Sequence, residues 1–181
     1  IQHINLLYEK GHCVFCYPLK NATLDNVEKD YLEKYLDVTK SQLFFAKGIL
    51  FVEGISEALL LPEFAKIIQR PLDEYSVELV NINGVGFAPF AKMLKIPTQN
   101  TGFAKAAIIT DDDRCADKEK DTYISKDLDY DDDLNGIGDK ITRGTPSDRY
   151  SKIEDLCSDG IVKCSGAVKT FEYELSLIPD N

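Results

Sequence analysis

Two apolar runs end abruptly in acids, and that pairing constrains the fold more than any other feature of this chain. Ile49-Leu50-Phe51-Val52 runs straight into Glu53, and Ala104 to Thr110 runs into Asp111-Asp112-Asp113. An apolar run without alternation is the pattern of a strand covered on both faces, as in a parallel sheet between helices. Open parallel sheets bind their ligands at the carboxyl ends of the strands, which is where these acids fall.

The flanking sequence supplies the alternating helices. Apolar residues recur at helical spacing from Val27 to Ala46 (Val27, Tyr31, Leu32, Tyr35, Leu36, Val38, Leu43), with Thr39-Lys40-Ser41 as an interruption. Ser56 is placed to cap a helix over Glu57–Gln69. Ser76–Ile82 reads as a second buried strand, closed by Asn83-Gly84-Val85-Gly86, and a short helix Phe87–Leu94 stops before Pro97. Ahead of all this, His12–Tyr17 reads as a strand. Beyond Asp113, residues 114–150 form a polar, Gly- and Asp-rich excursion with little regular structure of its own. A helix Ser147–Cys157, a strand Gly160–Ser165 and a helix Lys169–Leu177 close the chain. Strands alternating with helices predict an α/β fold, a mostly parallel sheet flanked by helices with a long polar loop insertion.

The 181 residues carry 31 acids against 21 Lys and Arg, a net charge of −10. That balance argues against tight, sequence-independent DNA binding by charge alone. It leaves one exception: acids gathered as ligands for divalent cations, which reverse the local field once bound. No apolar run reaches the roughly 20 residues of a membrane span. The start, Ile1-Gln2-His3, lacks an initiator Met and a signal peptide and reads as an excised piece. Five cysteines (Cys13, Cys16, Cys115, Cys157, Cys164), an odd number, read as reduced thiols in a cytoplasm. Cys13-x-x-Cys16 is half a zinc motif, but Cys157 and Cys164 are poorly spaced as its complement, so paired strand cysteines are the plainer reading.

Glu53 and Glu57 lie one helical turn apart on one face, and Asp111 and Asp113 point the same way if strand geometry persists. Four carboxylates at neighbouring strand ends repel one another, and divalent metals are the natural resolution. Taken singly, Glu53 and Glu57 also suit a helix N-terminus, and Asp112 reads as a solvated neighbour. Gly84-x-Gly86 fails the dinucleotide fingerprint because Pro89 takes the third glycine's place, and it reads as a tight turn beside the metals. Asp131-x-Asp133-x-Asn135-Gly136 opens like a calcium loop but has Thr142 in place of the closing Glu. No phosphate-binding P-loop occurs. Lys140, Arg143, Arg149 and Lys152 serve either as DNA-backbone contacts or as scattered surface charge.

The segments ILFVEGISE, NINGVG and IITDDD, in that order, resemble the Toprim signature: an apolar strand into Glu, a glycine turn, and a D-x-D. YLDVTKSQLFFAKG before them and KTFEYEL near the end look like the OLD (overcoming lysogenization defect) family of ATP-dependent nucleases. The resemblance spans roughly residues 31 to 177. It implies a Toprim (Rossmann-like) nuclease domain over residues 47–181, with residues 1–46 as a strand and helix leading from an ATPase domain outside this sequence. It further implies DNA cleavage with two divalent cations, Mg²⁺ or Mn²⁺, with Ca²⁺ as an inactive mimic. Carried over, the metal ligands are Glu53, Glu57, Asp111, Asp113 and Glu172, with Glu174 a weaker candidate, and the catalytic residues are Glu53 and Lys169. DNA, the ATPase portion and a second copy of the chain are the expected partners, with no membrane. Two alternatives stay open: a receiver-type phosphoacceptor domain, and a catalytically inactive Toprim assembly module.

Overall fold

The computed structural model describes residues 1–36, 41–84, 86–96, 101–113 and 146–178. The chain begins with an antiparallel hairpin, β1 (Asn5–Lys10) and β2 (Cys13–Pro18), in which Lys10 faces Cys13 across the two-residue loop Gly11-His12. Gly11 takes φ 65°, a conformation that a tight hairpin demands and glycine adopts without steric cost. Only the second of these strands is legible in the sequence, as His12–Tyr17. Asn5–Lys10 mixes Asn, Glu and Lys with its apolar residues and carries no run or strict alternation.

Helix α1 (Asn26–Tyr35) starts at a reciprocal cap. Asp25 accepts from the Glu28 N–H at 2.8 Å, and Glu28 accepts from the Asp25 N–H at 3.1 Å. The expected helix to Ala46 is shorter: Leu36 has already left the helical region (φ −80°, ψ 55°), and Ser41–Phe45 is a separate 3₁₀ turn. Asp37, Val38 and Thr39 follow directly, all poor helix formers. Asp25→Ala removes the cap and is expected to cost about 1 kcal/mol, read as a lower midpoint in urea unfolding with unchanged slope.

The central sheet has the order β4-β3-β7-β8 and is parallel throughout. It consists of β3 (Gly48–Val52), β4 (Val77–Asn81), β7 (Lys105–Asp111) and β8 (Val162–Ala167). The expected mostly parallel α/β architecture holds. A two-stranded antiparallel ribbon, β5 (Lys95–Ile96) with β6 (Thr101–Gly102), sits apart from it. Helix α2 (Ile55–Ile67) follows β3, α3 (Ala88–Leu94) follows β4, α4 (Asp148–Cys157) precedes β8, and α5 (Phe171–Ser176) ends the described chain.

The two faces of the sheet are not equally covered. Ile49, Phe51, Val80, Ile82, Ala106, Ile108 and Val162 share one buried cluster with Leu32 of α1, with Phe90, Met93 and Leu94 of α3, and with Ile153 of α4. The hairpin joins this cluster through Leu6 and Tyr17. On the other face Leu50, Ala107 and Ile109 are only half-buried, and Ile55, Leu59 and Ile67 of α2 are exposed, as is Ile68 just after it. The expectation of strands buried on both sides therefore holds fully on one side only. Helix α4 is pressed against β8 at Gly166, where an added Cβ would lie 2.4 Å from the Tyr150 ring. That contact fixes the height of α4 beside the carboxyl ends of the strands.

Candidate metal centre

Parallel register puts the ends of β3 and β7 side by side: Val52 is level with Ile109, and Asp111 with Ala167 of β8. Glu53, one residue past β3, therefore faces Thr110 and Asp111. Its Oε2 accepts from the Thr110 hydroxyl at 2.6 Å and lies 3.4 Å from the Asp111 N–H. The glycine turn closes from the other side, with the Gly84 N–H donating to the Glu53 carbonyl at 2.9 Å. Gly84 holds φ 146°, which an L side chain rarely adopts.

Asp111 accepts from the Phe171 N–H at 2.8 Å, which ties β7 to the start of α5. Strand geometry does not persist to Asp113: β7 ends at Asp111, and Asp113 takes the left-handed conformation (φ 51°). The expectation that Asp111 and Asp113 point alike by strand alternation fails for that reason. Asp113 is nonetheless linked to Glu53, through a guanidinium. Arg149 of α4 donates from Nη1 to Glu53 at 3.0 Å and from Nη2 to Asp113 at 2.7 Å, and also binds the Asp111 carbonyl.

Glu57 is buried, and its Oε2 accepts from the Gly54 N–H at 3.1 Å, so it caps the first turn of α2. Gly54 rather than Ser56 is the N-cap. Glu172 is exposed on α5, and its own N–H, the Ser56 hydroxyl and the Thr170 hydroxyl hold its carboxyl below the usual range. Glu174 accepts from the Val168 N–H at 2.9 Å. Lys169 is half-buried at the corner between β8 and α5, its carbonyl accepting from the Asp113 N–H at 3.1 Å.

The electrostatics follow from this crowding. Burial, then the neighbouring Glu53 charge, push the Asp111 carboxyl up to about 6, with Glu57 and Asp113 adding to the repulsion and the Phe171 N–H opposing it. Burial also works against ionised Glu53, but hydrogen bonds from Thr110 and Arg149 and the Arg149 charge outweigh it and hold Glu53 below its usual value. One guanidinium thus serves a set with several carboxylates, and Asp111 carries the unmet repulsion.

Two residues depart from their sequence expectations and shape the site. Asp112 is buried, not solvated: its carboxylate accepts from the Ser147 N–H at 2.8 Å, and its own N–H donates to the Ala167 carbonyl at 2.8 Å. Ser147 caps α4 by accepting from the Tyr150 N–H. Asp112 therefore anchors the helix that delivers Arg149. Arg149 is neither scattered surface charge nor turned away from the acids. It borders a cavity of about 460 Å³ lined also by Ala88, Asp148, Lys152, Ile153 and Leu156. A larger groove of about 570 Å³ lies at the amino end of β4, around Val77 and Phe45, away from the acids. Lys140, Arg143, the calcium-like loop and Cys115 lie outside the described residues.

The donor set suits a hard divalent cation. It consists of carboxylate and hydroxyl oxygens, without sulfur or imidazole, and a positive group already draws Glu53 and Asp113 together. Among the described residues, no three Asp, Glu, His or Cys side chains are gathered tightly enough to chelate an ion as they stand. The acids share one strand-end face, with Arg149 among them. Cys13 and Cys16 are exposed on the hairpin, and burial followed by the Cys164 thiol pushes Cys157 up to about 12.

Residues 44–113 match the family described as overcoming lysogenization defect protein-like, TOPRIM domain. The sequence is 30% identical over 132 residues to the endonuclease GajA of Bacillus cereus (strain HuB5-5), a stretch covering 73% of this chain and 17% of that protein. The solved C-terminal region of the Xanthomonas campestris pv. campestris OLD protein aligns with TM-score 0.42 and 22% identity, covering 74% of this chain and 56% of that one. That of the Burkholderia pseudomallei OLD protein aligns with TM-score 0.41 and 23% identity over 72% and 57%.

Proposed function

We propose, on the premise that residues 44–113 of this chain are an OLD-like Toprim domain, that it hydrolyses DNA phosphodiester bonds with divalent cations. The observation that carries this reading is the position of Glu53. Its carboxylate, at the end of β3, shares one polar face with Thr110, Asp111 and Asp113 at the end of β7. Glu53, Asp111 and Asp113 are the central ligands, with Glu57 and Glu172 at the flank, and Mg²⁺ or Mn²⁺ suits their oxygens.

When bound, a pair of divalent ions supplies Lewis-acid stabilisation of the scissile phosphate and lowers the pKa of an attacking water. The chain's own residues set the conditions for this. Asp111 must shed its proton to contribute a charge, and its carboxyl titrates near 6, so binding strengthens as pH rises toward neutrality. Lys169, held at the β8–α5 corner, brings a positive charge to offset that on the phosphate or to protonate the leaving oxygen. The Asn83-Gly84 turn, hydrogen-bonded to the Glu53 backbone, keeps that side of the site low enough for a phosphate to approach.

A chain of net charge −10 grips DNA weakly by itself. Affinity then comes from an ATPase portion attached through residues 1–46, or from pairing of two copies. Conversion of supercoiled plasmid to the nicked form by this chain, dependent on Mn²⁺ and abolished by chelator, tests the reading. An inactive assembly module leaves the plasmid intact at every metal concentration.

A further inference from the structure

We propose that Arg149 is an exchangeable internal counter-cation: its bridge across the carboxylate set and the binding of a divalent ion exclude each other. The inference rests on the metal-site reading above and adds a residue that the acids alone do not indicate. Both terminal nitrogens of Arg149 are spent on the strand ends. Nη1 donates to Glu53 Oε2 at 3.0 Å and approaches Thr110 Oγ1 at 3.4 Å, while Nη2 donates to Asp113 Oδ2 at 2.7 Å and to the Asp111 carbonyl.

A carboxylate oxygen has two lone pairs. Glu53 Oε2 already takes the Thr110 hydroxyl at 2.6 Å and Arg149 at 3.0 Å, with the Asp111 N–H at 3.4 Å. A cation bound through that oxygen must displace a donor, and one bound through Oε1 sits beside the guanidinium on the same carboxylate. Thr110 is neutral and can stay, whereas a guanidinium and a dication repel at contact distance. Arg149 is the donor that leaves.

The mounting permits it. Helix α4 is fixed from below, by the buried Asp112 carboxylate on the Ser147 N–H and by Tyr150 against Gly166. The arginine stem reaches out from that fixed base on several rotatable bonds. Its bridge meets water chiefly at the Asp113 end, where 52% of the side chain is exposed, against 25% for Arg149 and 23% for Glu53. That more exposed pair is the weaker one, and it opens first to an incoming dication. Once released, the guanidinium stays beside the strand ends and is not lost from the site.

The test is Mn²⁺ titration of the 181-residue chain by calorimetry at pH 7.5, with thermal melting of the same samples. Arg149→Ala is expected to bind Mn²⁺ about tenfold more tightly than the parent, to melt lower than the parent without metal, and to gain more from Mn²⁺. Lys152→Ala removes the same charge from the same helix without touching the set, and is expected to leave affinity within about twofold. Arg149→Lys keeps the charge but loses the fork and falls between parent and Arg149→Ala. This variant carries the test if Arg149→Ala does not fold. Equal or weaker Mn²⁺ binding by the folded Arg149 variants, against a parent that does bind, overturns the inference alone. Absence of Mn²⁺ binding by the parent overturns the metal reading and this inference with it.

Discussion

Glu53→Ala and Asp111→Ala are each expected to lower Mn²⁺-dependent nicking of supercoiled plasmid by about 10²–10³-fold. Both side chains stand at the strand-end face, and each is held by neighbours that survive the substitution. Without Glu53, Thr110 and Arg149 lose their shared acceptor, and a cation loses the one carboxylate contributed by β3. Without Asp111, β7 contributes only the displaced Asp113. Asp148→Ala removes an exposed carboxylate from the first turn of α4 and is expected to keep activity near that of the parent. If Glu53→Ala and Asp111→Ala cut as fast as the parent, the assignment of the site is wrong.

The second large effect concerns stability and has the opposite sign. Asp111→Asn is expected to make the metal-free chain more stable at pH 7.5 by about 1–2 kcal/mol, a figure already reduced for partial solvent screening. Asparagine keeps the oxygen that accepts from the Phe171 N–H and removes only the charge. The Asp111 carboxyl titrates near 6 in the folded chain against an ordinary 3.8. A raised native pKa means the folded state binds the proton better. Its stabilising share is thus complete below about 3.8 and vanishes as pH rises through about 6. Glu53 is shifted the other way, and its share is lost as pH falls through its lowered value. Between about pH 4.5 and 6 the Asp111 effect dominates, so the metal-free parent loses stability across that interval and Asp111→Asn does not. Urea midpoints at half-unit pH steps, in chelator, measure this. Parallel pH profiles for parent and variant would mean that Asp111 carries no such strain. Mn²⁺ reverses the order: it stabilises the parent and gives Asp111→Asn little.

Such a pairing, a substitution that stabilises the protein while removing its activity, is what a site assembled against electrostatic repulsion produces. It separates a working carboxylate from one that merely caps a helix. Glu57 illustrates the contrast. It is buried and engaged with the Gly54 N–H, so its removal costs the first turn of α2 as well as any contribution to ligation.

What was legible in the sequence and what was not divide along physical lines. The strands β3 and β7 were readable because apolar runs that end in Glu or Asp are local signals of burial and its end, and β4 because its Val and Leu residues are closed by the Asn83-Gly84 turn. The gathering of Glu53 with Asp111 followed from the parallel register those strands adopt. Asp113 departs from strand alternation because the ladder ends two residues before it, at Asp111, and its own φ is 51°. Asp112, the middle of three consecutive acids, looks solvated in the sequence. Its burial depends on the Ser147 N–H, 35 residues away. Arg149 meets Glu53 across 96 residues of sequence, and its role exists only once α4 is docked on β8. No local pattern announces that docking, since the contact is a tyrosine ring lying over the bare Cα of Gly166. The hairpin strand β1 was lost for a plainer reason: its mixed polar and apolar residues lack the run and alternation by which a strand is read.

The central claim is that acids from β3 and β7 hold divalent cations at one end of the sheet. Crystals of the 181-residue chain grown with Mn²⁺, measured at the manganese absorption edge, address it directly. The account predicts anomalous peaks within ligand distance of Glu53, Asp111 and Asp113, with the Arg149 guanidinium swung off Glu53. Full manganese occupancy elsewhere, with Arg149 still bridging Glu53 and Asp113 and no peak between the strand ends, would contradict it.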